Sequence, residues 1–196
     1  MSLARFWNGE LRGISGAIYQ LLPSFYLSIK DKISTSIQIK NLDSKSGKDN
    51  TIQCQTTIRF PKNLLLGNQV HIGREVMIST EISTSIFTIG DKTQISKGCS
   101  IDYTGDLTIG KNCTISEDVM VQTHDHGLNP RSKPIPLPLK IYDDVWIGAR
   151  ATILHQVSEI GENSIVAACS VVTKDIPANV IVAGNPARVI RTLDEK

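Results

Sequence analysis

The chain has 196 residues and a mass of 21.5 kDa, a length for one domain with a terminal extension and ample for a sizeable core. Twenty-one Lys and Arg against nineteen Asp and Glu leave a net charge of +2, too small to predict an electrostatic nucleic-acid binder, and 53 Ile, Leu and Val residues exclude a disordered or collagen-like chain. The longest apolar runs are a few residues, such as Leu64-Leu65-Leu66, so no transmembrane helix is expected, and Arg5, Glu10 and Arg12 break up the apolar start that a signal peptide would need. Cys54, Cys99, Cys113 and Cys169 form no CxxC pair, which predicts reduced thiols in a cytoplasmic protein.

Residues 1–50 form a helical extension and a linker. Trp7, Leu11, Ile14, Ile18, Leu21 and Leu22 fall at helical spacing and Pro23 ends the pattern, so a helix of about five turns is predicted there. Such a helix serves to cap an open end or to pack on a neighbouring subunit; Phe6, Trp7, Arg5 and Arg12 also suit peripheral membrane contact, a reading that so few basic residues disfavour. Residues 43–50 read as a polar connection into a first, degenerate coil at Ile52 and Ile58.

From Leu66 onward an aliphatic residue recurs every six positions: Leu66, Ile72, Ile78; then Ile89, Ile95, Ile101; Ile109, Ile115, Val121; Ile141, Ile147, Ile153; and Ile160, Val166, Val172. Four residues after most of them stands a small or β-branched residue, such as Val70, Thr93, Cys99, Cys113 or Ser170, and the residue immediately after is often Gly. Six is too short for a helical repeat. A short strand followed by a tight turn with a permissive Gly or Ser explains the period, with aliphatics pointing inward. The register breaks after every third hexad, so three hexads make one coil, and residues 51–178 are predicted to be an all-β fold: a triangular parallel β-helix. The proline-rich excursion at 124–140 leaves that register, as functional loops on regular scaffolds do, and 179–196 form a terminal segment.

The repeat, together with Asp144-Val145-Trp146-Ile147-Gly148-Ala149, Val172-Thr173-Lys174-Asp175-Ile176-Pro177 and Ala183-Gly184-Asn185-Pro186-Ala187-Arg188-Val189-Ile190, resembles the hexapeptide-repeat acyltransferases, in their galactoside, maltose and polysaccharide O-acetyltransferase branch. The resemblance covers roughly residues 52–191. It implies a left-handed parallel β-helix, a homotrimer with active sites between subunits, and acetyl coenzyme A as co-substrate with no metal required. It further implies that His124, at the mouth of the excursion, is the general base toward a carbohydrate hydroxyl, a role that an imidazole titrating near neutral pH can fill. His126, two residues on in extended backbone, is expected to point the same way, either orienting the acceptor or the first imidazole or facing solvent; Asp102, with Tyr103 its competitor, matches the acidic residue that contacts acceptor hydroxyls. Trp146 is expected to face out beside the acetyl group, and backbone around Ala149 and Ala168 to bind the pantetheine arm and the oxyanion. Thr173, Lys174, Arg188 and Arg191 would meet the phosphate and adenine end. Cys99 and Cys113 fill core slots, which favours direct transfer over a thiol-bound intermediate. An N-acyltransferase acting on an amino-sugar is the near alternative; a metal-dependent carbonic anhydrase, which needs three histidines, and a non-catalytic scaffold are the distant ones.

Overall fold

The computed structural model describes residues 12–193, with side chains from Ser24 onward, and shows three parallel sheets folded into a triangular β-helix. Each sheet is one face of the prism, and each face carries one column of the repeat. Leu66, Ile89, Ile109, Ile141 and Ile160 pair in register on one face; Ile72, Ile95, Ile115, Ile147 and Val166 on the second; Ile78, Ile101, Val121, Ile153 and Val172 on the third. All fifteen are buried, Leu66 the most accessible at 3%. Ile52 and Ile58 pair with Ile72 and Ile78, so the degenerate first coil stacks as the others do. Ile176, which the hexad count puts in a small-residue slot, instead bridges Ile160, and Val182 pairs with Val166, so a further partial coil follows. On the first face a second row, Leu64, Phe87, Leu107 and Leu139, is buried two residues before the column, as strand alternation requires.

The corners differ from the sequence expectation. The left-handed backbone falls on the third residue past the aliphatic, not on the Gly that follows it: Gln69, Glu75, Lys92, Asn112, Asp118, Asp144, Arg150, Asn163 and Cys169 all have φ between 55° and 64°. Left-handed backbone costs a side-chain-bearing residue about 1–2 kcal/mol, with Asn and Asp the most tolerant. The stacked coils offset it, because corner amides donate to carbonyls of the coil beneath, Asn112 to Asp91 at 2.9 Å and Asp144 to Lys111 at 2.9 Å. The glycines answer to a different constraint. A Cβ on Gly148 would sit 2.6 Å from the Ala168 amide nitrogen of the next coil.

The helix α1 (Arg12–Asn41) runs on past Pro23 to nearly twice the expected extent, while the predicted start at Phe6, Trp7 and Leu11 lies outside the described residues. Docking on the first coil sustains it. Thr35 Oγ1 donates to the Ile52 carbonyl at 2.9 Å and accepts from the Ile52 amide at 3.1 Å, and Gln38 donates to the Thr56 carbonyl. The end of the prism is an open strand edge, and the helix satisfies its backbone groups with side chains. Asp31 anchors the junction, accepting from the Cys54 amide at 3.0 Å and pairing with the Arg74 guanidinium. The periodic apolar residues Ile29, Ile33 and Ile37 are about half exposed, and Ile33 and Ile37 line a hollow beside Cys54, Gln55 and Thr56 of the first coil. Among the described residues no helix is long and apolar enough to cross a membrane.

The excursion is tied down at its root. His124–Asp125 pairs antiparallel with Ile135–Pro136, and the Leu137 amide donates to the Thr123 carbonyl at 2.8 Å. Gly105, from the coil below, is pressed into that root, where an added Cβ would lie 2.3–2.4 Å from the Leu137 amide nitrogen, the Leu137 carbonyl oxygen and the Thr123 carbonyl oxygen. The last described residues form an antiparallel hairpin, Val180–Gly184 with Ala187–Thr192.

Two outcomes follow from these contacts. Burial alone would raise the Asp31 carboxyl, but the hydrogen bonds from Arg74 and Cys54 outweigh it and hold it below the ordinary carboxylate range. A depressed carboxylate stabilises the fold above its unfolded value and loses that contribution as pH falls through the folded value. Asp31→Asn should therefore cost about 1–3 kcal/mol at pH 7, and in urea unfolding the gap from wild type should close below about pH 4; a gap independent of pH contradicts the pairing. Gly105→Ala, facing only backbone, should lower stability by about 1–3 kcal/mol in thermal melting; an unshifted melt contradicts the close contact.

Candidate active site

The excursion leaves the third face at Val121, and the two residues after it turn His124 out at the corner. Thr123 is fully buried and its hydroxyl and amide both donate to Asp102 Oδ2, at 2.9 and 2.8 Å. The same carboxylate oxygen lies 2.9 Å from His124 Nδ1, and the other accepts the Thr104 hydroxyl at 2.5 Å. Burial pushes the Asp102 carboxyl up, and the hydrogen bonds from Thr104, His124 and Thr123 together bring it below the ordinary range. An ionised carboxylate only accepts, so Nδ1 of His124 carries the proton and Nε2 presents its lone pair outward. Asp102 is thus placed as the partner of His124.

His126 does point the same way as His124. Its Nδ1 faces the Ser132 carbonyl at 2.8 Å, which places the proton there too, and its Nε2 stands 3.2 Å from Nε2 of His124. The Ser132 hydroxyl donates back to the His126 carbonyl at 2.5 Å, fixing the excursion around the ring. A third acceptor converges on the two imidazoles: Glu81 Oε1 lies 3.7 Å from His124 Nε2 and 3.6 Å from His126 Nε2. Sequence reasoning missed Glu81. The signal was available, since Glu81, Thr104 and His124 are each the third residue beyond a paired aliphatic of one face, Ile78, Ile101 and Val121.

Tyr103 does not reach the site. It is fully buried, its ring stacks on Phe87 with centroids 5.9 Å apart, and its hydroxyl donates to the Arg59 carbonyl at 2.6 Å. Burial pushes the phenol up to about 12. It lies two residues after the inward Ile101, so alternation turns it into the prism, away from any acceptor.

Trp146 faces outward, 51% exposed, with its indole nitrogen donating to Ser116 Oγ at 3.0 Å. Ile147 pairs with Val166, so Ala149 and Ala168 stack at one corner of successive coils, where the Ala149 carbonyl accepts the Cys169 amide at 2.9 Å. Lys174 and Arg188 share the rim of a hollow of about 180 Å³ at the far end of the prism, next to Thr173 in sequence; Arg191 lies on the outer strand of the hairpin, opposite Ile181. Of the remaining histidines, His71 is half-buried and that burial pushes its imidazole down, while His155 lies 3.8 Å from Asp125.

No family model matches the chain. The galactoside O-acetyltransferase of Escherichia coli (strain K12) is 36% identical over 134 residues, 66% of this chain and 57% of that protein. A 2,3,4,5-tetrahydropyridine-2,6-dicarboxylate N-acetyltransferase of Clostridium perfringens (strain SM101 / Type A) is 55% identical over 69 residues, 35% of this chain and 28% of that one. The chain therefore spans little more than half the length of the first of these relatives and less of the second. A solved hexapeptide-repeat-containing acetyltransferase of Vibrio cholerae O1 biovar eltor, complexed with acetyl coenzyme A, superposes with a TM-score of 0.60 at 33% identity over 68% of this chain and 72% of that one. The paired columns, the outward histidines and this likeness converge: the chain belongs to the hexapeptide-repeat acetyltransferases, and its prism is their left-handed parallel β-helix.

Proposed function

We propose that the protein is a cytoplasmic O-acetyltransferase that moves acetyl from acetyl coenzyme A to a carbohydrate hydroxyl, in a polysaccharide, glycolipid or sugar precursor, with His124 as general base. The observation that carries this reading is the Asp102–His124 pair, with Nδ1 held at 2.9 Å and the Nε2 lone pair facing out of the prism at the mouth of the excursion. A neutral sugar hydroxyl is a poor nucleophile. As its oxygen bonds to the thioester carbonyl carbon, its proton passes to His124 Nε2, and the resulting imidazolium is stabilised by Asp102. Collapse of the tetrahedral intermediate breaks the C–S bond, and His124 returns the proton to the leaving thiolate. His126 Nε2 and Glu81 Oε1, close to that lone pair, are acceptors for neighbouring hydroxyls of the sugar.

Transfer is direct in this reading. Cys99 and Cys113 are buried and burial pushes both thiols up to about 11, which suits core packing and not acyl carriage. Trp146 would wall the acetyl group, Ala149 and Ala168 would lend backbone to the pantetheine arm and oxyanion, and Lys174 and Arg188, with Thr173 and Arg191 nearby, would receive the phosphates. The sites would lie between the subunits of a homotrimer. The 55% identity to an N-acetyltransferase favours one second reading, acetylation of an amino group at the same base.

His124→Ala should lower turnover by about 10²–10⁴-fold while coenzyme A affinity stays close to wild type. Asp102→Asn should lower it by about 10–10³-fold, because an amide no longer fixes the tautomer or stabilises the imidazolium. Steady-state kinetics with thiol detection, beside coenzyme A binding by calorimetry, checks both; full turnover in His124→Ala refutes the assignment of the base.

A further inference from the structure

Three lone-pair groups meet at the excursion mouth, and among the described residues no donor faces them. Nε2 of His124, Nε2 of His126 and Oε1 of Glu81 lie 3.2, 3.6 and 3.7 Å apart. Two imidazole nitrogens that both carry lone pairs repel at 3.2 Å unless a cation or a donor sits between them. The spacing also has a specific meaning. Zinc–nitrogen bonds of about 2.0–2.1 Å at a tetrahedral angle set two ligand atoms about 3.3 Å apart. The three atoms come within a few tenths of an ångström of that triangle.

We propose that Glu81, His124 and His126 form a binding site for a divalent transition cation of the zinc type, with a fourth position open to solvent, and that its occupation blocks the enzyme. Two imidazoles and a carboxylate match the preference of zinc and its neighbours over magnesium or calcium, which favour oxygen ligands. The supports behind the ligands are also in place. His124 is oriented by Asp102 and His126 by the Ser132 carbonyl, the outer contacts that fix the tautomer of metal-binding histidines. Glu81 is held at its backbone, where its amide donates to Thr104 Oγ1 at 3.0 Å. Binding requires nothing of the acetyl-transfer reading. Only its consequence rests on that reading: a metal on His124 Nε2 occupies the lone pair that would receive the hydroxyl proton.

The test is zinc titration of chelator-stripped protein by calorimetry, with Cys169→Ser as a control for the exposed thiol. Wild type and Cys169→Ser should bind one zinc per chain with equal affinity, while His126→Asn and Glu81→Gln, checked for an unchanged circular dichroism spectrum, should bind at least about tenfold more weakly. Cobalt in wild type should give the intense visible absorption of a tetrahedral site. Failure of wild type to bind, equal affinity in the His126 and Glu81 variants, or loss of binding in Cys169→Ser overturns the site. Zinc should also inhibit thiol release from acetyl coenzyme A in wild type and a chelator should restore it. Stoichiometric binding without inhibition overturns the blocking role alone, and binding in a protein with no transferase activity separates the failure of the acetyl-transfer reading from that of the metal site.

Discussion

Everything in this molecule depends on the register between one coil and the next. Aliphatic side chains of three columns fill the prism, and the backbone of each coil must lie one strand spacing above the last, about 4.8 Å, for the ladders to close. That spacing dictates the corners. A chain that turns through a third of a circle within a few residues adopts left-handed backbone at residues such as Asn112 and Asp144, and the coil beneath offsets the strain by accepting the amide of each. It also dictates where a side chain cannot be tolerated, as at Gly148 beneath Ala168 and at Gly105 beneath the excursion.

The same register assembles the site. His124 and Asp102 are 22 residues apart in sequence, yet they are neighbours because Val121 stacks on Ile101, and Glu81 joins them because Ile101 stacks on Ile78. A rigid scaffold sets three positions of a column, and the excursion then brings His126 back against the first imidazole through its own turn at Ser132. Preorganisation of this kind lets a proton acceptor hold its orientation without help from the substrate. It also makes an electron-rich corner that suits a hydroxyl donor and a soft divalent cation alike, so reaction and inhibition would compete for one lone pair.

The columns were legible in the sequence because an interior position admits little besides Ile, Leu and Val, and the spacing of six leaves its mark on every coil. The corners were less so. Left-handed backbone is spread over Gln, Glu, Lys, Arg and Cys as well as Asn and Asp, so composition does not flag it, and the glycines one step from the aliphatics suggested the wrong place. The outward histidines and Trp146 stood where the pattern implied. Tyr103 did not, because the coil is longer there and alternation from Ile101 carries the ring inside. Helix α1 was underestimated for a related reason: its contact with the prism is polar, through Asp31, Thr35 and Gln38, and hydrophobic periodicity is blind to it.

The most direct test of the account is thiol release from acetyl coenzyme A by the wild-type protein across a panel of mono- and disaccharides and the matching amino-sugars. Release that depends on a hydroxyl-bearing sugar and yields an ester cleaved by alkaline hydroxylamine is expected. Release with amino-sugars alone, yielding an amide that survives hydroxylamine, would contradict transfer to oxygen.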